Sequence, residues 1–595
     1  MFVHDDARSD DFIAINIILA SFGIISLISS FEPRFLWGLN HVGYFPLWQR
    51  LALTGALIAF CIPPFARMVS DHLSRATITI PRPYEIIFYI LLFGAMVALF
   101  ILFSSRNHLL GDGYVIEGTI RKGFTFSPTE PLEYILHWLL FGLIGGVRGV
   151  YFSYAITSYL SGVAFLVIIY IFLKDKVGVV FALAVAFAFA NMQFFFGYME
   201  NYTTSLVLIT LYLLSAWRDL SERKISSITV IVLAVAICFH IDNSIYLVSL
   251  GYLYLAKTES RRTGIIWAVV LLGTIVLGVL YLKTFTKLHI EDIFVPFLPT
   301  SENPYYLFSS AHIADLISVW LLSFPLLIFC PIFLKDWDQK GRWFFAATAI
   351  PSLLYVIMID PKLGAPRDWD MMSLPAAAIM VFIWLSFSRE NSRWRNVRFA
   401  IVVPLLLFSF LHTGSWIAQN SHKDTGYAWL RPLIDRDKHY SSDYFQGYRN
   451  KSWAAIVETD YKDYKEAVRA NEAIFAAAPN DTFNTCKLAI NYLANGDSIK
   501  CQEIVNEFWP KFVENQDAIS VLGAMMFKMK KYSESEQIFR AYLLRGGTDP
   551  GIFHNMGALM ERQGKIDSAY YYYFKSFYNW PDAPVGMALG YYLKC

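Results

Sequence analysis

Thirteen apolar stretches, most of them near the length that crosses a bilayer and separated by short charged loops, run from residue 12 to residue 413. They constrain the fold more than anything else in the chain, because a spanning helix needs about 20 mostly apolar residues. The stretches are 12–30, 51–66, 85–104, 150–173, 177–195, 203–217, 225–240, 243–257, 263–283, 313–334, 342–358, 373–388 and 398–413. With 56% hydrophobic and 16% charged residues, a soluble globular protein of 595 residues is excluded. The expectation is an all-α, polytopic membrane domain over 1–413. A net charge of +2 without any basic run gives no sign of a nucleic-acid partner. The start, MFVHDDARSDD, lacks the basic region and cleavage site of a secretory signal, so the first span is expected to be retained.

Lys and Arg set the expected orientation. One set of alternate loops carries 18 of them, from Arg67, Arg75 and Arg82 through Lys174 and Lys176 to Arg389, Arg393, Arg395 and Arg398. That set is expected on the cytoplasmic side, with the N-terminus. The opposite, extracytoplasmic side (periplasm in a bacterium, ER lumen in a eukaryote) then receives GDGY (Gly111–Tyr114), MENY (Met199–Tyr202), HIDN (His240–Asn243), PRDWD (Pro366–Asp370) and the C-terminal tail. Polar groups gathered at one face predict one shared site.

The polar insert after the 85–104 span carries Asp112, Glu117, Glu130 and Glu133, then a short apolar stretch over 132–144. That stretch is too short to cross a bilayer and reads as an interfacial helix. Asp112, between two glycines, could take the proton of an attacking hydroxyl or amine, or help to bind a divalent cation such as Mg²⁺ or Mn²⁺; a plain turn aspartate is the alternative. Glu200 and Tyr202, and His240 and Asp242, lie at tight turns between apolar runs, where they could orient a substrate or merely sit at the interface. In PKLGAPRDWDMMSLP, Lys362 and Arg367 suit phosphate oxygens, Asp368 and Asp370 add carboxylates, and Trp369 offers a surface to a sugar or isoprenoid. The loop 284–312, with Glu291, Asp292 and Glu302, reads as a substrate-facing flap or an exposed connection.

The tail has a 34-residue period. Ala455, Ala489, Gly523 and Gly557 share one small-residue position, Ala467, Cys501, Ser535 and Ala569 a second, and Phe539 and Tyr573 recur at the same offset. This is the period of tetratricopeptide repeats, so a short α-solenoid is expected over 449–595, with 414–448 as a linker or cap.

From about residue 85 to 260 the chain resembles the GT-C superfamily of integral-membrane glycosyltransferases. GDGYVIEGTI is similar to that family's acidic motif after an early span. SPTEPLEYILHWLLFGLIG is similar to the interfacial segment that follows, and GVRGVYFSYAITSYLSGVAFLVIIYIFL to the returning helix. FGYMENYTTSLVLITLYLLSAWR resembles the next luminal turn and CFHIDNSIYLVSLGYLYL a later helix pair. The resemblance implies inverting transfer of a sugar from a polyprenyl-phosphate donor to a protein, glycan or lipid acceptor at the extracytoplasmic face. Asp112 would be the base, Arg367 with Lys362 would neutralise the leaving phosphate, and Glu117, Glu200, Tyr202, His240 and Asp242 would orient donor or acceptor. Two extra spans precede the acidic loop, and Gly-Asp-Gly replaces the paired carboxylates of the family, which leaves metal dependence open. The repeats would recruit the acceptor or a partner protein. The alternatives are a non-enzymatic envelope scaffold working through its repeats, or a transporter or flippase. Transport would use charges at broken helices within the membrane rather than clusters at one face.

Overall fold

The computed structural model describes residues 6–579 except 33, 76–81, 107–108, 122, 147, 258–272, 274–279, 281–283, 285–292, 300–303, 390–393 and 438–442. Among the described residues the secondary structure is helical, apart from an isolated bridge between Phe294 and Ile359. Backbone packing divides the chain into two compact units, Met1–Leu139 with Tyr151–Tyr440, and Leu140–Val150 with Ser441–Cys595.

Among the described residues six helices are long and apolar enough to cross a membrane: Asp11–Ser29, Tyr84–Leu102, Gly149–Leu173, Gln339–Met358, Met371–Ser388 and Val397–Ser421. They mark a membrane protein. Their surroundings differ in a telling way. The Tyr84–Leu102 window is 6% buried and turns Ile86, Ile90 and Leu91 outward, as a lipid-facing helix does, whereas 83% of the Met371–Ser388 window is buried inside the bundle. Ser310–Ser323 and Pro325–Leu334 form a further broken pair bent by 88°. Pro325 explains the break, since it brings no N–H to the preceding turn.

Thirteen spans are expected; among the described residues six helices, or seven with the bent pair taken as one span, have the length and composition of a span. The run 177–195 is an eight-residue helix, Val179–Ala186, followed by a 3-10 turn, Ala190–Phe195. The runs 51–66 and 225–240 become helices of 15 and 13 residues, and 243–257 begins as the 3-10 turn Ile241–Tyr246. The 203–217 helix extends to Glu222 and takes in Arg218 and Asp219. The run 263–283 lies largely outside the described residues, as do Glu291, Asp292 and Glu302 of the expected flap. An apolar run reports burial, and protein neighbours bury a short helix as well as lipid does. The expected boundary at 413 falls inside a helix. The last long helix passes through a π turn, Phe410–Gly414, and continues to Ser421. The stretch beyond it is helical over Lys423–Asp437, with Trp416 and Trp429 fully buried and the Trp429 indole donating to Asn40 Oδ1 at 2.9 Å.

In the second unit, helices pair at the 34-residue period: Thr482–Ala494 with Ser498–Glu514, Gln516–Lys528 with Tyr532–Leu544, and Pro550–Arg562 with Ile566–Asn579. Asp481, Asp497, Asn515 and Asp549 each cap a helix with a side-chain oxygen. The small-residue positions now have a cause. A Cβ on Gly523 would collide with the Phe539 ring and one on Gly557 with the Tyr573 ring, while Ala467, Cys501, Ser535 and Ala569 are fully buried. Gly523→Val should therefore destabilise this unit by about 1–3 kcal/mol through overpacking. Limited proteolysis should show faster cleavage within 441–579 and no change in the first unit; unchanged cleavage would remove this packing account.

Candidate active site

One glycine sets the acidic loop. Gly111 has φ +62°, where a side chain is strained, and a Cβ there would collide with the Glu200 carboxylate. That carboxylate accepts the N–H of Asp112 and, through its other oxygen, the N–H of Asn201 at 3.2 Å. The helix Gly113–Arg121 starts immediately afterwards, leaving Asp112 exposed at the bend.

The PRDWD segment grips the same loop from the other side. Arg367 is 1% exposed, and its guanidinium donates to the Leu109 carbonyl at 2.9 Å and the Gly111 carbonyl at 3.4 Å. Its own carbonyl accepts the Gly111 N–H at 2.9 Å. Asp368 accepts the Leu363 N–H, and Asp370 accepts the Tyr198 hydroxyl at 2.8 Å. Asp112, Glu200, Asp368 and Asp370 thereby line one cavity of about 130 Å³, together with Glu130, Tyr134, Asn201, Tyr202 and His240. Burial and then the charges of Asp370 and Asp112 push the Glu200 carboxyl well above the usual range. Burial raises Asp370, and burial with Asp112 and Asp370 raises Asp368. These buried acids therefore keep their protons to a higher pH than free carboxyls do.

The opposite wall is a carboxylate–imidazole chain. His240 Nε2 lies 3.4 Å from Glu130 Oε1, and its Nδ1 faces Asp242, whose carboxylate accepts the Tyr355 hydroxyl at 2.7 Å. The ring stacks on Tyr202 with centroids 4.4 Å apart. Burial opposes the charged imidazole, but Asp242 and Glu130 outweigh it and lift the His240 pKa to about 9. Burial likewise works to raise Glu130, while His240, Ser127 and Thr129 hold it below the usual value. The raised histidine has a consequence for stability. Its contribution is fully present below its ordinary pKa of 6.5 and is lost as pH rises through about 9. The unfolding temperature should fall across that window, and His240→Gln should flatten the fall. Equal slopes in both proteins would remove the charged pair.

Several expected site residues stand elsewhere. Arg367, expected on a leaving phosphate, is buried, bonds the carbonyls of the acidic loop and does not line the cavity. Trp369, expected to face a sugar or isoprenoid, is fully buried against Phe194, Tyr198 and Trp416. Lys362 pairs with Asp360 at 3.1 Å, and Glu117 pairs with Arg121 one helical turn on; neither lines the cavity. Asp242 acts on His240 from behind.

Glu130, noted only as one carboxylate of the insert, is a wall residue. Behind it stands a fully buried trio. Glu133 Oε1 is 3.2 Å from His137 Nε2, and His137 Nδ1 is 3.1 Å from Ser153 Oγ. The i, i+4 spacing of Glu133 and His137 was visible in the sequence; their burial was not. Among the described residues no group of three or more His, Cys, Asp or Glu side chains is arranged as a ready-made metal-ligand set. What the arrangement can do is take and hold protons beside a small polar cavity. In comparisons with known proteins, no family model matches the chain and no curated protein is similar to it.

Proposed function

We propose that the protein is a GT-C-type membrane glycosyltransferase that transfers a sugar from a polyprenyl-phosphate donor to an acceptor at the extracytoplasmic face. The observation that carries this reading is the convergence of Asp112, Glu200, His240 and Asp370, from four separated segments, on one cavity in a chain rich in apolar helices. In this reading Asp112, the exposed carboxylate, takes the acceptor's proton as the acceptor bonds to the sugar carbon and the bond from that carbon to the phosphate oxygen breaks, polyprenyl phosphate leaving with the electron pair. Glu130, His240 and Tyr202 orient the acceptor from the other wall. The buried Glu200, Asp368 and Asp370 supply hydrogen bonds from the inner side of the cavity. Arg367 holds the loop that carries the base. The second unit is read as a tetratricopeptide-type solenoid that recruits the acceptor or a partner protein.

The test is direct. Purified protein in nanodiscs is given a panel of radiolabelled sugars on polyprenyl phosphate and on nucleotides, with a membrane extract as acceptor source. Transfer from a lipid-linked sugar, absent in Asp112→Asn, supports the reading. Transfer from nucleotide sugars alone, or from no donor, overturns it.

A further inference from the structure

Asp370 lines two cavities. Besides the acidic one, it borders a smaller cavity of about 30 Å³ whose walls include Asn191, Ser205, Asn243 and Ser373. The broken helix after Ala186 places Asn191 there, on the 3-10 turn Ala190–Phe195. Asn191 is 3% exposed and its amide nitrogen donates to Ser373 Oγ at 2.7 Å, while its Oδ1 has no hydrogen-bond partner. Ser205 Oγ accepts from Asn243 Nδ2 at 3.0 Å, which leaves its hydroxyl hydrogen to be given elsewhere. An unpartnered buried amide oxygen costs about 1–3 kcal/mol. One water occupies roughly 10–15 Å³ on this scale and needs two to four polar partners.

We propose that this second cavity is a binding site for one or two ordered waters, held by Asn191 Oδ1, the Ser205 hydroxyl and the Asp370 carboxyl. The fit is one of size and of hydrogen-bond roles. The water donates to Asn191 and to Asp370 and accepts from Ser205, which satisfies all three. Its use follows from its place. A substrate seated in the larger cavity covers Asp370 from the front, among Asp112, Glu200 and Asp368, with Tyr198 donating from the side. The water behind keeps that carboxyl hydrated and able to exchange its proton while the front is filled. This use rests on the proposed function; the site itself does not.

Hydroxyl-radical footprinting of the full-length protein tests the site without any assay of transfer, because radiolysis of an internal water oxidises the side chains beside it. Tyr246 and Phe194 line this cavity and are 0% and 2% exposed; Tyr212 is equally buried and does not line it. In the wild type, Tyr246 and Phe194 should be oxidised well above Tyr212. Asn191→Leu should bring both down to the Tyr212 level, and the milder Ser205→Ala should lower them if Asn191→Leu fails to fold. Oxidation no greater than at Tyr212, or oxidation unchanged in both variants, overturns the site. Oxidation that depends on whether the buffer contains lithium or potassium would assign the cavity to a cation and overturn it equally.

Discussion

Asp112→Asn is expected to lower sugar transfer by about 10²–10⁴-fold, the usual contribution of a positioned general base, while expression and donor binding persist. The amide keeps the size of the side chain and leaves the Asp112 N–H free to bond Glu200 as before. What it removes is the proton affinity of the exposed carboxylate. Glu117→Gln is the matched control, nearby in sequence yet paired with Arg121 and absent from the cavity wall, and it should turn over near normally. If Glu117→Gln loses activity and Asp112→Asn does not, the base is misassigned. If neither matters, the transferase reading fails and a scaffold working through its helical repeats replaces it.

The second large effect is expected at Arg367, and its character separates two roles. A side chain that neutralised the leaving phosphate would, when removed, weaken donor binding. A latch that holds the Leu109 and Gly111 carbonyls would, when removed, loosen the loop that aims Asp112. Arg367→Met keeps the apolar volume and removes the donors, leaving buried carbonyls that each cost about 1–3 kcal/mol when unsatisfied. Misplacing a reacting group by 1 Å costs about 10²-fold. The variant should therefore lose about that much in kcat and unfold at a lower temperature, with the donor KM little changed. A raised donor KM with kcat and thermal stability intact would return Arg367 to the phosphate.

How much of this could be read from residues alone varied with the kind of signal. The 34-residue period was legible because small residues recur at one offset, and in two successive repeats the cause is the same local problem, a small residue under an aromatic ring, at Gly523 with Phe539 and Gly557 with Tyr573. The helix Pro131–Ile144 was legible for the same local reason, a short apolar run behind a proline start. Span counting was less secure. The segments 177–195 and 243–257 are mostly apolar yet break into short helices and 3-10 turns, and composition does not record where a helix breaks.

The candidate site divides along the same line. By itself the sequence determined a membrane-embedded helical chain, a repetitive helical tail and a set of polar motifs at the ends of apolar runs, because composition and periodicity act over neighbouring residues. Only the tertiary structure decided which of those motifs meet and which side chains face the cavity. Arg367, Trp369 and Asp370 lie within four consecutive positions, yet one is a latch, one is buried in an aromatic cluster and one is a cavity wall. Glu130 joined the site through His240, more than a hundred residues away. Direction and burial at such positions are set by long-range packing partners, and no local pattern in the chain carries that information.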